Sequence, residues 1–179
     1  GECLWGRDEE TLEGVVIREL IQSRQTLAVA ESCSGGKLAN GLITIPGASA
    51  VVHYGWVCYS NKAKVKELNV PSSLMDAPGC PGAVSGEVAL AMAEGARLQA
   101  DADWGIGITG IAGPGGGTTS KPVGTVWIGL SGSLKSYSIL RHQWTRGGRI
   151  GVQRGCTRDA LEMLRRELLG LPRLPERLP

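Results

Sequence analysis

Apolar residues recur along this chain with two spacings, and each spacing predicts one kind of element. Over residues 8–24 the apolar positions fall on one helical face and acids crowd the first turn, so the segment predicts an amphipathic helix. Continuous apolar runs over residues 26–30 and 104–109 predict buried strands. Similar helical spacing predicts helices that begin after residues 37, 61 and 85, and a last helix over residues 149–168. Strands are predicted over residues 51–60, 122–130 and 134–144.

Turn and cap residues separate these elements. Asn61 and Ser85 stand at the predicted starts of two helices, where polar side chains commonly cap free N–H groups. Residues 71–82 hold three Pro and two Gly, which predicts a loop. Residues 170–179 hold three Pro, so we expect an extended or disordered tail there.

The order of the elements predicts the fold class. The last two predicted strands are separated only by Ser131-Gly132-Ser133, which favours an antiparallel hairpin. The other strands alternate with helices, an order that is typical of parallel pairing. We therefore predict an α/β fold, a three-layer α/β/α sandwich around a mixed, mostly parallel sheet.

Composition and charge exclude several classes of protein. The 179 residues suit one domain, and a net charge of +2 gives little attraction to nucleic acid. No apolar run approaches the roughly 18 residues of a membrane span, and the N-terminus is acidic, so we expect a cytoplasmic protein. The five Cys form no C-x-x-C pair and the two His lie far apart, which argues against a metal site.

Arginine is concentrated in the C-terminal part of the chain. From Arg141 onward the sequence has nine Arg and four acidic residues. One interpretation is a solvated helix face. The other is that one or two of these arginines reach an anionic ligand.

Residues 30–37 form the first candidate for chemistry, because two hydroxyls and a thiol follow a buried strand directly. Ser32, Cys33 and Ser34 precede the glycine pair Gly35-Gly36, and backbone N–H groups at such a turn can form an oxyanion hole. The alternative is an ordinary Ser/Gly helix cap, and the residues alone leave both open. The segment is not a phosphate-binding P-loop, since Leu38 follows its lysine.

The second candidate is the loop over residues 109–119. Five glycines and one Pro fall within residues 110–117, directly after a predicted strand. Glycine has no Cβ to block the approach of a phosphate or sugar, so the loop suits a bound nucleotide. The alternative is a flexible surface loop.

The third candidate is Tyr-Ser-Asn-Lys-Ala-Lys over residues 59–64. Lys62 and Lys64 cannot both face inward on one short turn. A buried lysine near a helix start would have a lowered pKa and could serve as the base for a serine nucleophile. The alternative is a solvated lysine.

These segments together resemble the C-terminal domain of the CinA family. The resemblance rests on five motifs in the family's order and covers about residues 8–168. They are Ala-Glu-Ser-Cys-Ser-Gly-Gly (30–36), Tyr-Ser-Asn-Lys-Ala-Lys (59–64), Gly-Ala-Val-Ser (82–85), Thr-Gly-Ile-Ala-Gly-Pro-Gly-Gly-Gly (109–117) and Lys-Pro-Val-Gly-Thr-Val (121–126).

The resemblance implies hydrolysis of the carboxamide of nicotinamide mononucleotide (NMN) to nicotinate mononucleotide and ammonia, without metal or cofactor. It implies Ser32 as nucleophile, Lys64 as base and Tyr59 as a residue that orients groups or relays protons. The substrate-binding residues that it implies are Cys33, Ser34, Gly35, Gly36, Thr109, Gly110, Gly113, Gly115 and Arg149, with the glycine loop holding the ribose phosphate.

The chain departs from the family pattern at a few positions. Lys62 replaces a usual Glu, which would either lower the Lys64 pKa further or be solvated. Gly148 replaces an Asp beside Arg149, and residues 76–81 differ from the usual approach to Gly-Ala-Val-Ser. Ser32 and Lys64 are unaffected.

The resemblance also bears on organisation. Residues 1–8 resemble the connector that follows the N-terminal domain of longer CinA proteins, residues 9–169 form the amidohydrolase-like domain, and residues 170–179 form the Pro-rich tail. We expect a homo-oligomer, with fusion to an N-terminal domain in a longer protein. The alternative function is a nucleotide-binding or competence-related partner-binding module without turnover.

Overall fold

The computed structural model describes residues 10–142 and 147–177. The helices are α1 (Leu12–Ser23), α2 (Lys37–Ile43), α3 (Asn61–Leu68), α4 (Ser73–Asp76), α5 (Gly86–Gln99) and α6 (Gly148–Leu168), with a 3₁₀ turn at Ala48–Ala50. The strands are β1 (Leu27–Glu31), β2 (Val52–Val57), β3 (Trp104–Gly110), β4 (Thr125–Gly132) and β5 (Ser136–His142). None of these helices is long and apolar enough to span a lipid bilayer.

The five strands form one sheet in the order β2-β1-β3-β4-β5. Strand β1 pairs in parallel with β2 on one side and β3 on the other. Strand β4 is antiparallel to β3, and β5 is antiparallel to β4. Four of the five strands therefore run in one direction, so the mixed, mostly parallel sheet is confirmed, as is the predicted hairpin.

Side chains alternate along β1 between two cores. Leu27 and Val29 pack into a core with the apolar faces of α1 and α6. Ala28 and Ala30 point to the other face, into a core formed with α3, α4 and α5. Helices thus cover both faces of the sheet, and the predicted three-layer sandwich is confirmed.

Glycines in the sheet let α5 lie against it at backbone distance. A Cβ at Gly107 would lie 2.2 Å from the Ala89 carbonyl oxygen of α5, and one at Gly129 would lie 2.4 Å from the same atom. Helix α5 itself contributes small buried residues to this face, including Ala89 and Ala93. The close packing predicted from its small residues is confirmed.

Local signals misplaced some boundaries. Ser60, rather than Asn61, caps α3, because its Oγ accepts a hydrogen bond from the Ala63 N–H at 3.1 Å. Ser85 caps α5 as predicted. The predicted loop over residues 71–82 contains the single turn of α4, which buries Met75 against the α5 side of the sheet.

The chain after α6 pairs with the sheet edge. The Arg177 N–H donates to the Leu140 carbonyl at 3.1 Å, and the Glu176 carboxylate accepts from the Leu140 N–H at 3.3 Å. Of the two expectations for the tail, extended or disordered, the structure shows the extended one, and the tail covers the outer edge of β5. No periodic apolar pattern marks such backbone pairing. The connector over residues 1–8 and the end of the predicted strand 134–144 lie outside the described residues.

Exchange of glycine for alanine is expected to have opposite effects at two positions. Gly107→Ala forces α5 away from the sheet and should lower the free energy of unfolding by about 3 kcal/mol. Gly41→Ala, inside α2, meets only the flexible Glu13 side chain at 3.4 Å and should raise it by about 0.5 kcal/mol. Urea unfolding measures both, and equal effects would contradict the close approach of α5.

Candidate active site

The three candidate motifs meet at one edge of the sheet. Strands β1, β2 and β3 are parallel, so their carboxyl ends lie side by side. The turn over residues 32–36 follows β1, Tyr59 follows β2, and the glycine loop follows β3. This edge is where open α/β sheets generally bind ligands.

A buried carboxylate fixes the turn after β1. Glu31 is fully buried, and its oxygens accept hydrogen bonds from the N–H groups of Gly36 (3.0 Å), Leu38 (3.1 Å) and Ala39 (2.8 Å). These N–H groups begin α2 and have no partner within the helix. The structure thus favours a helix cap over an oxyanion hole at these three positions. This role of Glu31 was not predicted from the sequence, although an acid between an apolar strand and a helix start was a usable signal.

The glycines of this turn allow a backbone conformation that other residues rarely adopt. Gly35 and Gly36 have φ of 68° and 89°, in the left-handed region that favours glycine. Gln153 of α6 donates to the Cys33 carbonyl at 2.9 Å and ties the turn to the helix layer. The Ser34 hydroxyl is buried and has no hydrogen-bond partner in the described part of the chain.

Ser32 and Lys64 come together below the turn. The Lys64 Nζ lies 3.3 Å from the Ser32 Oγ and donates to the Cys58 carbonyl at 3.1 Å. Lys64 is 2% exposed and Ser32 is 8% exposed. Lys64 is the fourth residue of α3 and faces inward, whereas Lys62 is exposed, so the charge introduced at position 62 is solvated.

Burial sets the proton affinity of the Lys64 amine. Loss of solvent lowers the pKa of Lys64 below its usual value, and this effect exceeds the opposite effect of charge interactions with Cys58 and Cys33. Burial likewise raises the pKa of the Cys58 thiol, which keeps that thiol neutral. The pair therefore consists of a hydroxyl and an amine whose neutral form is favoured by burial, an arrangement suited to nucleophilic attack.

Arg149 connects two sides of the site. Its guanidinium donates to the Tyr59 hydroxyl at 2.8 Å and to the Gly113 carbonyl at 3.0 Å. Arg149 lies in the first turn of α6, and Gly148 in place of the family's Asp does not keep it from the site. Tyr59 is 65% exposed, and within the described residues no hydrogen bond joins its hydroxyl to Ser32 or Lys64.

A cavity of about 290 Å³ contains these groups. It brings together seven of the residues that the resemblance implied: Ser32, Cys33, Tyr59, Lys64, Thr109, Gly110 and Arg149. It also has four lining residues to which the sequence analysis assigned no role in the site: Asn61, Ala83, Val84 and Ala112. The other implied residues do not line it: Ser34, Gly35, Gly36, Gly113 and Gly115.

The glycines of the second loop, over residues 109–119, differ in whether packing leaves room for a side chain. Gly113 has a φ of 80°, and a Cβ there would lie 2.5 Å from a Val123 methyl group. A Cβ at Gly110 would lie 2.8 Å from the Thr125 carbonyl oxygen, whereas one at Gly115 would meet nothing within 4 Å. Packing therefore explains Gly110 and Gly113, and the phosphate-binding role of the loop stays a prediction.

A larger cavity of about 430 Å³ lies beside the starts of α1 and α2. Its charged lining includes Lys37, Arg154 and Arg158, but both of its hydroxyls are engaged. Thr11 caps α1, and Thr157 donates to the Gln153 carbonyl at 2.9 Å. Within the described residues, no group of three or more His, Cys, Asp or Glu is arranged to hold a metal ion. Ser32 and Lys64 line the smaller cavity and not this one.

Fold and site together define an α/β domain with a buried Ser–Lys pair at the carboxyl edge of its parallel strands. Residues 9–168 match the family described as the CinA C-terminal domain, and the chain belongs to that family. A CinA-like protein from Desulfovibrio desulfuricans is 47% identical over 173 residues, which is 96% of this chain and 40% of that protein. One from Synechococcus sp. is 47% identical over 169 residues, with 94% and 40% covered.

Solved structures of the family share the fold. The competence/damage inducible protein of Agrobacterium tumefaciens is 35% identical with a TM-score of 0.77, over 89% of this chain and 97% of that one. The CinA superfamily protein of Escherichia coli is 33% identical with a TM-score of 0.79, over 92% and 96%. The chain thus spans about two fifths of the curated relatives that it matches but nearly all of these solved chains.

Replacement of Glu31 tests whether its carboxylate holds the turn. Glu31→Gln keeps the size of the side chain but turns an amide NH₂ toward backbone donors, so the free energy of unfolding should fall by about 2 kcal/mol. Glu94→Gln, at an exposed position of α5, is the matched control and should change it by less than about 0.5 kcal/mol. Similar urea-unfolding curves for the two variants would contradict the role of Glu31.

Proposed function

We propose that this chain hydrolyses the carboxamide of NMN to nicotinate mononucleotide and ammonia in the cytoplasm. The observation that carries the proposal is the 3.3 Å separation of the Lys64 amine and the Ser32 hydroxyl. Both groups line one cavity and both are buried, which lowers the pKa of Lys64. A binding module would have no use for such a pair.

An amide is a poor electrophile, so the nucleophile needs a base that is neutral near physiological pH. Neutral Lys64 takes the Ser32 proton as the Oγ bonds to the carboxamide carbon. The carbon–nitrogen bond then breaks, and the Lys64 ammonium returns the proton to the leaving nitrogen, which departs as ammonia. Serine is left esterified to the nicotinoyl group.

Water completes the reaction. Lys64 accepts a proton from the attacking water, the bond between the acyl carbon and Ser32 Oγ breaks, and Lys64 returns the proton to Ser32. The net change is one amide and one water converted to one acid and one ammonia. Lys64 thus acts as base and acid in turn and ends neutral, as it began.

The charge of Arg149 supports an anionic substrate. Its hydrogen-bond partners, Tyr59 and the Gly113 carbonyl, are neutral, and in the described part of the chain no carboxylate pairs with it. A guanidinium in a cavity without a counter-charge favours a phosphate, which it can bind through two parallel hydrogen bonds. This favours the second interpretation of the C-terminal arginines.

Ammonia release from NMN by the purified chain tests the reaction directly. Ser32→Ala and Lys64→Met should each lower kcat by about 10³-fold or more, because each removes a group that acts on the reacting atoms. Lys62→Met removes a neighbouring lysine that is exposed, so it should keep the wild-type rate and is the matched control.

Two other outcomes have defined meanings. Near-normal turnover in Ser32→Ala would move the nucleophile to Cys33 or Ser34. Calorimetric binding of NMN by the wild-type chain without ammonia release would favour the binding module without turnover.

The pH dependence follows from the direction of the Lys64 pKa. The base must be neutral, so kcat/KM should rise with pH through the lowered pKa of Lys64 and level off above it. Because burial shifts this pKa downward, the plateau should be reached below the pH at which an ordinary lysine, with a pKa of about 10.4, loses its proton. Steady-state rates across this range provide the measurement. A rate that falls as pH rises through this region would contradict a lysine base.

A further inference from the structure

One wall of the cavity is a short backbone segment over residues 81–84, which joins α4 to α5. Ala83 and Val84 line the cavity with Ser32 and Lys64, yet their side chains carry no reactive group. Their contribution to the site is therefore the shape of the wall and the position of its backbone. The contacts that hold this segment decide where the wall stands.

Three of its four carbonyl groups are held by side chains from elsewhere. The Lys121 Nζ donates to the Pro81 carbonyl at 2.7 Å and to the Val84 carbonyl at 2.8 Å. Thr109, itself a lining residue, donates to the Ala83 carbonyl at 2.7 Å. The Gly82 N–H donates to the Leu74 carbonyl at 2.9 Å.

Lys121 is well suited to hold two carbonyl groups of this segment at once. An ammonium has three donors on one atom, and hydrogen bonds from a charged donor are short and stronger than neutral ones. Its backbone is fixed as well, because its N–H donates to the Thr118 Oγ at 3.0 Å and its carbonyl accepts from the Thr118 N–H at 2.9 Å. Lys121 begins the Lys-Pro-Val-Gly-Thr-Val motif, to which the reaction above assigns no role.

The contacts of Lys121 also join two sides of the site. The chain between β3 and β4 carries both Gly113, whose carbonyl holds Arg149, and Lys121, whose amine holds the wall. Loss of the amine would leave two backbone carbonyls without these partners and release the wall from that chain. Within the described residues no hydrogen bond joins the Ser32–Lys64 pair to Lys121, so the pair should keep its geometry.

We propose that Lys121 is a positioning residue that holds residues 81–84 against the bound nucleotide, and so sets substrate affinity rather than the reactivity of Ser32. The proposal rests on the proposed function and adds to it a residue that determines substrate binding. Loss of Lys121 should therefore weaken substrate binding without changing the reactivity of Ser32, whereas a general loss of structure would impair both.

The test compares two reactions of the same variants. Lys121→Met keeps the length of the side chain without its donors, and KM for NMN should rise about tenfold with kcat little changed. A small alkyl fluorophosphonate reacts with Ser32 by forming an Oγ–phosphorus bond as fluoride leaves and Lys64 takes the proton. This reaction at Ser32 does not depend on nucleotide binding, so its rate should stay within about twofold of wild type.

Two further variants sharpen the result. Lys135→Met is the matched control, since Lys135 is exposed and its amine lies 3.4 Å from Glu167, and both reactions should be unchanged. Lys121→Arg retains charged donors and should recover part of the lost affinity. Equal losses in both reactions of Lys121→Met would show a merely structural role and overturn the proposal, as would an unchanged KM.

Hydrogen exchange distinguishes failure of this inference from failure of the proposed function. If the wild-type chain released no ammonia from NMN, the deamidase reaction would be wrong, and exchange at residues 83–85 would then decide the role of Lys121. Faster exchange there in Lys121→Met, with α5 and β3 unchanged, would support the positioning role. Unchanged exchange at these residues would overturn it, and the same measurement applies if Lys121→Met is poorly stable.

Discussion

Burial of the Lys64 amine is the constraint around which the site is built. A lysine taken out of water favours its neutral form, and its pKa in the folded chain is lowered for that reason. The unfolded chain then binds a proton more readily than the folded one. Stability therefore falls as pH drops from the ordinary lysine pKa toward the lowered one, and it stays reduced at neutral pH. The same burial that favours the neutral amine needed for the proposed reaction destabilises the fold.

The surrounding structure offsets this cost by fixing both members of the pair on rigid supports. Ser32 follows the fully buried strand β1, and the Glu31 carboxylate closes the turn after it with three backbone hydrogen bonds. Lys64 stands on α3, whose start is capped by Ser60, and its amine is held by the Cys58 carbonyl. Because β1 and β2 are parallel neighbours, residues 32 positions apart in the chain arrive at one edge.

The features that the sequence predicted well are local or periodic. The apolar face of α1 and the small residues of α5 identified their elements, since each pattern repeats within one element. The family motifs pointed to Ser32 and Lys64 before the structure brought them together. The pairing of the tail with β5 depends on which segments become neighbours, and no local pattern carries that information. The role of Glu31 is local by contrast, since its carboxylate accepts from backbone groups only five to eight residues further along the chain.

The glycine-rich loop shows why composition alone was ambiguous. Gly113 is required by its left-handed φ and by Val123, so its presence is explained by packing without any ligand, whereas Gly115 lies in open space. The C-terminal arginines likewise include residues whose presence is explained by contacts within the fold. Arg141 pairs with Asp159 and Arg166 pairs with Glu162, which neutralises their charges within the fold.

Arg149 differs from these arginines because its partners are a hydroxyl and a carbonyl at the cavity. Arg149 is partly buried, and burial of a charge without a counter-charge costs free energy. In the proposed function, the phosphate of the substrate would supply that counter-charge. The contribution of the glycine loop that the structure shows is the Gly113 carbonyl, which accepts a hydrogen bond from this guanidinium and so fixes its position at the cavity.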